Sequence, residues 1–466
     1  MFYLLVVLLT RNHPFFGDCI NLGARYANWF SESNFSGLIP PAGVDSGNPP
    51  FFGWYLATCW KLFGRSLAVS HLAILPFLIG IVWGYYHLAS QFFKGNWLWM
   101  SLPLLLLEPT LLAQATMISP DIPLTCFFII ALSGMTNRRN ILQTVAMCGL
   151  PLLSTRGIMT LGVVFLAEAG YLWFDRNRKF SLKFCWKYLP AGLLAISWLA
   201  FHYVQTGWIS YNQESMPWAA SFQSAGLFGF IKNMTILGWR MLDFGRVALW
   251  ITLGILAFWV FTKRLPIDQP YKQLIAVWLA PLIVFVPVLA RYSGLLQHRY
   301  LIQVFVLTGI LVLYGLSRCP FKKLAKAIYT LLIIALISGH FWVYPDKIAQ
   351  GWDSSLAHVP YFKLRQEMID FIQQNNIPPN QVITGTPNQF PLKETDLTDD
   401  LWHFTNSDDI PKEQRNSAPF VFYSNVFNDI PDSFYDELHT NWEVVKTLES
   451  GGIRVTLFRN RQLSMK

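Results

Sequence analysis

Long apolar runs alternate with short polar segments over the first 345 residues of the chain. A helix that crosses the hydrocarbon core of a bilayer needs about 20 mostly apolar residues, so this alternation predicts membrane-spanning helices. The pattern predicts an all-α polytopic membrane protein with about eleven spans. The predicted spans are 1–14, 67–92, 97–117, 122–136, 141–154, 157–174, 188–206, 247–262, 273–290, 300–316 and 327–345.

The first apolar run is short. Residues 1–10 supply about half the length of a spanning helix and lack the pattern of a cleavable signal peptide. Either the natural chain begins further upstream, or residues 11–16 complete the first span in a thinned bilayer. We expect an upstream start.

Lysine and arginine residues occur in alternate loops between the predicted spans. Cytoplasmic loops carry an excess of these residues, so their positions predict the orientation of the chain. The N-terminus is expected in the cytoplasm and the C-terminal tail outside it, as in a multi-pass protein of a cell (inner) membrane. The basic loops are at 94, 138–139, 176–187, 263–264 and 318–326. The loops predicted outside are 15–66, the turn near 121, the turn near 156, 207–246 and 291–299.

The chain becomes polar and acidic near residue 350. Residues 350–466 hold 16 of the 27 Asp and Glu residues and carry a net charge of −6, whereas residues 1–349 carry +15. A helical pattern at 361–374 accompanies strand-like alternation further along the tail. We therefore predict a transmembrane domain at 1–349 and a small extracytoplasmic α/β domain at 350–466. The strand-like runs are 381–384, 420–423, 442–446 and 454–458.

Composition excludes several classes of protein. The chain is 53% hydrophobic and only 14% charged, which is unlike a soluble globular protein. Its basic residues follow the loop pattern of a membrane protein, so we expect no binding of nucleic acid. No Walker loop, GxGxxG or GxSxG motif is present, which argues against nucleotide-driven transport and lipase chemistry. Of the six cysteines, Cys19 and Cys59 lie on the predicted outer side, either as a disulfide or as two small core residues.

Carboxylates are scarce before the tail, and two of them occupy similar places. Residues 1–349 contain 11 Asp and Glu, of which Asp18 and Asp121 each lie at the outer end of an apolar run. This placement predicts a site at the outer boundary of the membrane. Each residue has a bland alternative as a helix cap. Asp45 is a third outer acid, and its alternative is a turn residue ahead of Gly47.

The outer loop 15–66 contains an ordered set of residues: Asp18, Arg25-Tyr26, Pro49-Pro50 and Phe63-Gly64. This order resembles the polytopic glycosyltransferases that use polyprenyl-phosphate sugars. That group has the GT-C fold and includes the aminoarabinose transferases of lipid A and the protein O-mannosyltransferases. The resemblance is good over 13–92 and weaker over 114–136. It also covers the entry to a late helix, Arg299-Tyr300-Leu301.

The resemblance implies a GT-C fold with loop 15–66 as the catalytic layer. Inverting transfer needs a carboxylate that accepts or orients the proton of the acceptor hydroxyl while the anomeric carbon gains positive charge. Asp18 is our candidate base. Asp121 is the second candidate, which would orient the acceptor or share a metal ion with its neighbours.

A divalent metal ion is a further possibility raised by the resemblance. Relatives that bind a metal use acids at and beside these positions. This chain has Cys19 after Asp18, and it has Gly47-Asn48 before the proline pair, where relatives place Glu, Lys or His. These departures weaken the case for a metal ion and for a phosphate contact from this turn.

The donor phosphate then needs other cations. Arg156 and Arg299 each stand alone at a predicted outer helix end, and a guanidinium can bind phosphate oxygens through two parallel hydrogen bonds. The alternative is that each arginine extends to lipid headgroups. The remaining candidate substrate-binding residues are Arg25, Tyr26, Asp45, Asn48 and Tyr300.

The predicted function is transfer of a sugar from a polyprenyl-phosphate carrier to a lipid, glycan or protein acceptor at the outer face of the membrane. The alternative is a transporter or flippase of lipid-linked saccharides. A transporter would place its polar groups on broken helices near the middle of the bilayer. This chain concentrates them at one face, which favours the enzyme.

Overall fold

The computed structural model describes residues 1–175, 182–209, 219–264, 266–407, 417–427 and 430–461. Before residue 350, the described chain is almost entirely helical. Its helices are α1 (Phe2–Thr10), α2 (Arg25–Glu32), α3 (Phe51–Phe63), α4 (Leu67–Ala89), α5 (Asn96–Leu106), α6 (Pro109–Ala115), α7 (Asp121–Thr136), α8 (Asn140–Leu153), α9 (Thr155–Trp173), α10 (Leu189–Thr206), α11 (Gly226–Leu242), α12 (Val247–Thr262), α13 (Gln269–Ala290), α14 (Ile302–Arg318) and α15 (Lys322–Gly339).

Four described helical segments are long and apolar enough to cross a membrane. Two further segments are bent pairs, in which α5 meets α6 at 63° and α11 meets α12 at 96°. Helices α7 and α8 are apolar but shorter. The chain is therefore a polytopic membrane protein, but the predicted count of about eleven spans is not confirmed. The four long segments are Leu67–Ala89, Lys183–Thr206, Gln269–Ala290 and His298–Arg318.

The predicted apolar runs all lie on helices, with two corrections. The run 97–117 is two helices because Pro109, at the first turn of α6, cannot continue α5 and Glu108 caps the new helix. The predicted loop 207–246 contains α11, whose apolar pattern is interrupted by Lys232 and Arg240. Residues 176–181 of the predicted basic loop and residues 210–218 lie outside the described residues.

The outer faces of the bundle are apolar. Val204 on α10, Phe258 on α12 and Leu331 on α15 are all exposed, and each lies in an apolar part of its helix. Soluble proteins rarely expose contiguous apolar surface of this kind. These faces are therefore suited to contact lipid.

The C-terminal part forms a small five-stranded sheet with helices, as predicted. The elements are α16 (Val359–Gln374), β1 (Val382–Thr384), α17 (Leu392–Thr395), β2 (Thr405–Asn406), β3 (Phe420–Ser424), α18 (Asp432–Asn441), β4 (Trp442–Ser450) and β5 (Ile453–Asn460). The sheet order is β2-β1-β3-β5-β4. Strands β1 and β3 pair in parallel, whereas β5 pairs antiparallel with β3 and β4. Gly451 and Gly452 both have positive φ and close the β4–β5 hairpin.

The C-terminal sheet domain is attached to the loop 15–66 by hydrogen bonds and ion pairs. The Phe15 amide donates to the Thr395 carbonyl at 2.8 Å, and Arg65 donates to the Lys393 carbonyl at 2.7 Å. Lys393 in turn forms an ion pair with Glu32 at 2.5 Å. These contacts bring the tail beside the loop that carries Asp18. The domain boundary at 349/350 stays a prediction.

Candidate active site

Asp18 lies where the chain turns from the end of α1 towards α2. Gly17 has a φ of +54°, in the left-handed region that favours glycine, and it makes this turn possible. The Asp18 carboxylate accepts a hydrogen bond from Nη2 of Arg299, 281 residues away, and its side chain is 45% exposed. Cys19 occupies the cap position of the following helical turn, with no side-chain cap bond. The helix-cap alternative for Asp18 is therefore not observed.

Asp121 bridges two arginines. It begins α7, but no side chain caps that helix. Its Oδ1 lies 2.5 Å from Nη2 of Arg156, in an ion pair that lacks the angles of a hydrogen bond. Its Oδ2 lies 3.7 Å from Nε of Arg299. Asp121 therefore connects the two guanidinium groups.

Arg156 lies on the first turn of α9. The Ser154 hydroxyl accepts from the Gly157 amide at 3.2 Å and caps the helix. Gly157 is required by packing, since a Cβ there would lie 1.8 Å from the carbonyl oxygen of Leu150. This tight start directs Arg156 over the Tyr300 ring, with 4.4 Å between guanidinium and ring centre.

Arg299 lies at the centre of the cluster, on a 3₁₀ turn at His298–Leu301. Its Nη1 donates to Oδ2 of Asp353 at 2.7 Å, while Nη2 donates to Asp18. Its Nε is buried and makes no hydrogen bond among the described residues. A buried donor without a partner is costly, and a bound oxygen would relieve that cost.

The sequence did not single out Asp353. It follows the last helix of the bundle and is buried beside Arg299. Burial is the main factor that raises the pKa of Asp353, and the carboxylates of Asp18 and Asp121 raise it further, while Arg299 opposes the shift. The available signal was an isolated acid within the short segment Gly351–Ser355.

Asp45 belongs to a separate cluster, in which both of its carboxylate oxygens have partners. Its Oδ2 lies 2.9 Å from Nε2 of His202, and its Oδ1 accepts from the Gly47 amide at 2.8 Å and from Tyr26 at 3.3 Å. Both Asp45 and His202 are almost completely buried. The turn alternative for Asp45 is confirmed by its bond to Gly47.

A small cavity of about 10 Å³ lies between the two clusters. Arg156 forms part of its wall beside Tyr26, Ser46 and Asn48. Asn48 Oδ1 accepts from the Thr155 amide at 3.0 Å, which ties the wall to the start of α9. The other lining residues are Leu22, Pro49, Pro120, Leu153 and Ser154.

Arg25 lies away from the Arg299 cluster. It forms an ion pair with Glu394 of the tail at 3.4 Å and donates to the Gly43 carbonyl at 2.9 Å. The alternative in which Arg25 pairs with an acid of its own loop is therefore wrong. In the observed geometry Arg25 attaches the outer loop to the C-terminal part, and its role in substrate binding stays a prediction.

The carboxylates do not form a metal site in the part of the chain that the structure describes. No group of three or more His, Cys, Asp or Glu side chains there is arranged to hold a metal ion. Asp18, Asp121 and Asp353 instead surround the Arg299 guanidinium. Cys19 and Cys59 are both free thiols, so the disulfide alternative is not observed.

Buried charged residues connect the break between α5 and α6 to the break between α11 and α12. Arg246, ahead of α12, donates through Nε to Oε1 of Glu108 at 2.7 Å, and its guanidinium lies 3.8 Å from the centre of the Phe305 ring. Asp243, at the same break, lies 2.6 Å from Nε2 of His298. Both contacts support the segment that holds Arg299.

Two solved structures of ArnT from Cupriavidus metallidurans share this fold. The one bound to undecaprenyl phosphate is 14% identical, with a TM-score of 0.53 over 98% of this chain and 96% of that chain. The apo state is 13% identical, with a TM-score of 0.55 over 97% and 96%. No family model and no curated protein matches the chain. At this level of identity the likeness establishes the fold, and it confirms the predicted GT-C-like architecture.

Proposed function

We propose that the protein transfers a sugar from a polyprenyl-phosphate carrier to the hydroxyl group of an acceptor, with inversion at the anomeric carbon. The observation that carries the proposal is the half-exposed Asp18 carboxylate on Arg299, with Arg156 and a cavity beside it. The bound undecaprenyl phosphate in the ArnT structure supports a carrier of this class.

The donor phosphate fits the exposed side of the two arginines. Asp18 is much more exposed than Asp121 or Asp353, so it is the partner of Arg299 that a ligand can replace. A phosphate oxygen that takes its place would receive hydrogen bonds from Nη2 of Arg299 and from its Nε, which makes no hydrogen bond among the described residues. Phosphate binding would then free the Asp18 carboxylate.

The freed carboxylate supplies the base for transfer. The acceptor oxygen attacks the anomeric carbon, the bond from that carbon to the phosphate oxygen breaks, and the acceptor proton passes to Asp18. The bonding electrons leave with the polyprenyl phosphate, whose added charge Arg299 and Arg156 stabilise. A single displacement of this kind inverts the anomeric configuration.

We place the donor sugar at the cavity beside Arg156, which must widen to admit a sugar ring. Hydroxyl and amide groups of Tyr26, Ser46 and Asn48 line one side, and prolines line another. Such a mixture suits the hydroxyl groups and carbon faces of a sugar ring. Tyr300, which lies under the Arg156 guanidinium, fixes the distance between the cavity and Arg299.

We place this chemistry at the outer face of a cell (inner) membrane, with lipid, glycan or protein as acceptor. The support is the alternation of basic loops, which puts the tail and the loop 15–66 on the same, outer side. A reporter fused to the C-terminus of the full-length chain, active only outside the cytoplasm, should be active. Activity of a cytoplasm-only reporter at that position would overturn the assignment for both Asp18 and the tail.

The transporter alternative receives less support. The helix breaks do carry polar residues, as in many transporters, but Arg246 at one break is fully buried and bonded to Glu108 at the other. The exposed polar groups are instead gathered around Asp18 and Arg156. That arrangement favours chemistry at one end of the bundle.

The proposal is tested by transfer assays on the purified, full-length protein. Labelled polyprenyl-phosphate sugars are supplied with envelope lipids and glycans, and mass spectrometry identifies the product. We expect a sugar-modified acceptor and free polyprenyl phosphate in equal amounts. Movement of an intact lipid-linked sugar across vesicles without cleavage would identify a transporter instead.

A further inference from the structure

The segment Gly351–Ser355, between the last helix of the bundle and the C-terminal part, is buried beneath the candidate site. Trp352, Asp353, Ser354 and Ser355 are all almost fully inaccessible to solvent. A polar segment buried to this degree must satisfy its hydrogen-bonding groups within the protein. The partners of its side chains and backbone therefore show which parts of the protein hold the segment in place.

The backbone of this segment is bonded to the helical bundle. The Asp353 carbonyl accepts from Nε2 of Gln114 at 2.8 Å, and the Ser354 carbonyl accepts from the Thr110 hydroxyl at 3.4 Å. Gly351 packs so closely on His298 that a Cβ would lie 2.3 Å from the ring Nδ1. The contacts with α6 and with His298, next to Arg299, therefore fix the position of Asp353 relative to Arg299.

Asp353 and Asp18 bind the two terminal nitrogens of one guanidinium, but they differ in exposure. The Asp353 side chain is only 4% exposed and also accepts from the Ser354 hydroxyl at 2.9 Å, whereas Asp18 is 45% exposed. A guanidinium is planar, so a partner that holds Nη1 also fixes the directions of Nη2 and Nε.

We propose that Asp353 is a positioning residue: it holds the Arg299 guanidinium in place while the donor phosphate replaces Asp18 at Nη2. This inference rests on the proposed function. Asp353 does not touch the reacting atoms, and it acts through Arg299. It also makes the linker to the C-terminal part a component of the donor site.

The test is Asp353→Asn in the full-length protein, with donor and acceptor kinetics measured separately. The amide keeps the shape but loses the charge, so we expect the donor KM to rise on the order of 10-fold. We expect the acceptor KM to stay unchanged. Binding of polyprenyl phosphate alone, measured without acceptor, should weaken by a similar factor.

Asp396→Asn is the matched control. Asp396 forms an ion pair with the buried Arg365 at 2.9 Å inside the C-terminal part. Its loss should lower the unfolding temperature but leave the donor KM unchanged. If Asp353→Asn lowers the unfolding temperature in the same way without changing donor KM or polyprenyl phosphate binding, Asp353 is structural and the proposal is wrong.

A second variant covers the case in which Asp353→Asn does not fold. Ser354→Ala removes only the hydroxyl that donates to Asp353 Oδ1. It should raise the donor KM in the same direction by about 2-fold to 3-fold, in line with one lost hydrogen bond; an unchanged KM would count against the proposal. A wild-type protein that neither binds polyprenyl phosphate nor transfers sugar would instead overturn the proposed function, and this inference with it.

Discussion

Asp18 and Asp45 lie on the same outer loop, yet their surroundings are opposite. Asp45 is buried, and its two oxygens contact His202, Gly47 and Tyr26. Asp18 is half-exposed, and among the described residues its carboxylate hydrogen-bonds only to Arg299. A buried carboxylate with partners on both oxygens holds a structure together, whereas one with a single exchangeable partner can accept a proton. We therefore propose a structural role for Asp45 and a catalytic role for Asp18.

The largest expected effect is on Asp18. Asp18→Asn should lower transfer by roughly 10²-fold or more, because the amide cannot take the acceptor proton. The unfolding temperature should stay close to that of the wild type, since the side chain is half-exposed. Transfer is measured at saturating donor and acceptor. Near-normal turnover would remove Asp18 from this role and direct attention to Asp121.

The second effect concerns Arg299, which lies at the centre of the Asp18 cluster. Arg299→Lys keeps the charge but loses the planar set of donors, so activity at sub-saturating donor should fall on the order of 10-fold. Arg299→Ala should lose more, mainly through weaker donor use. The measurement is donor KM at fixed acceptor. Equal activity of the lysine variant would indicate that Arg299 serves only as a charge, and the phosphate contact would then pass to Arg156.

Much of the Asp18 cluster could be predicted from the sequence. Asp18, Asp121, Arg156 and Arg299 stood out because charges are scarce at the ends of apolar helices, and the structure brings all four together. A charge on an apolar helix is costly within the bilayer unless it is paired or used, which is why scarcity was informative.

The remaining features had little local signal. Asp353 was hidden among the 16 acids of the tail, and nothing in its neighbours reveals that its segment is buried. For Asp45 the sequence left a functional role and a turn role open, because its partner His202 is 157 residues away. Helix α11 was missed because Lys232 and Arg240 interrupt its apolar pattern. The failures at Asp353 and Asp45 arise from tertiary contacts that a sequence pattern does not encode.

If phosphate replaces Asp18 at Arg299, the Asp18→Asn variant should gain affinity for polyprenyl phosphate although it loses transfer activity. Asp18→Asn removes the negative charge that competes for Nη2 of Arg299, so polyprenyl phosphate should bind several-fold more tightly, by about 3-fold to 10-fold. Asp45→Asn should show no such gain, since Asp45 does not contact an arginine of the site. The measurement is direct binding without acceptor. Weaker binding to Asp18→Asn would contradict the exchange.

Acidification should weaken donor binding before it affects folding stability. Burial and the neighbouring Asp18 and Asp121 raise the pKa of Asp353 above its ordinary value of 3.8, against the opposing effect of Arg299. As the pH falls through that raised pKa, Asp353 loses its charge and its hold on Arg299, so donor KM should increase. In Asp353→Asn this pH dependence of the donor KM should disappear.

Protonation of Asp353 has the opposite effect on folding stability. A carboxyl group whose pKa is raised by folding binds its proton more tightly in the native state, so its contribution to stability is present below the ordinary pKa and is lost as the pH rises through the raised value. Protonation of Asp353 should therefore weaken donor binding without unfolding the protein. Loss of donor binding only together with global unfolding would contradict this separation.

The smallest effect on catalysis is expected at Asp45. Asp45→Asn leaves His202 without its anionic partner in a buried site, so the protein should lose about 1–3 kcal/mol of stability. Transfer should change by less than about 3-fold, because Asp45 reaches the cavity only through Tyr26 and Ser46. His202→Gln removes the other partner and serves as the matched variant, with the same expected loss of stability. Thermal unfolding and transfer are measured on both variants. A loss of transfer near that of Asp18→Asn, in a protein that remains folded, would place Asp45 in the chemistry and remove the distinction between the two carboxylates.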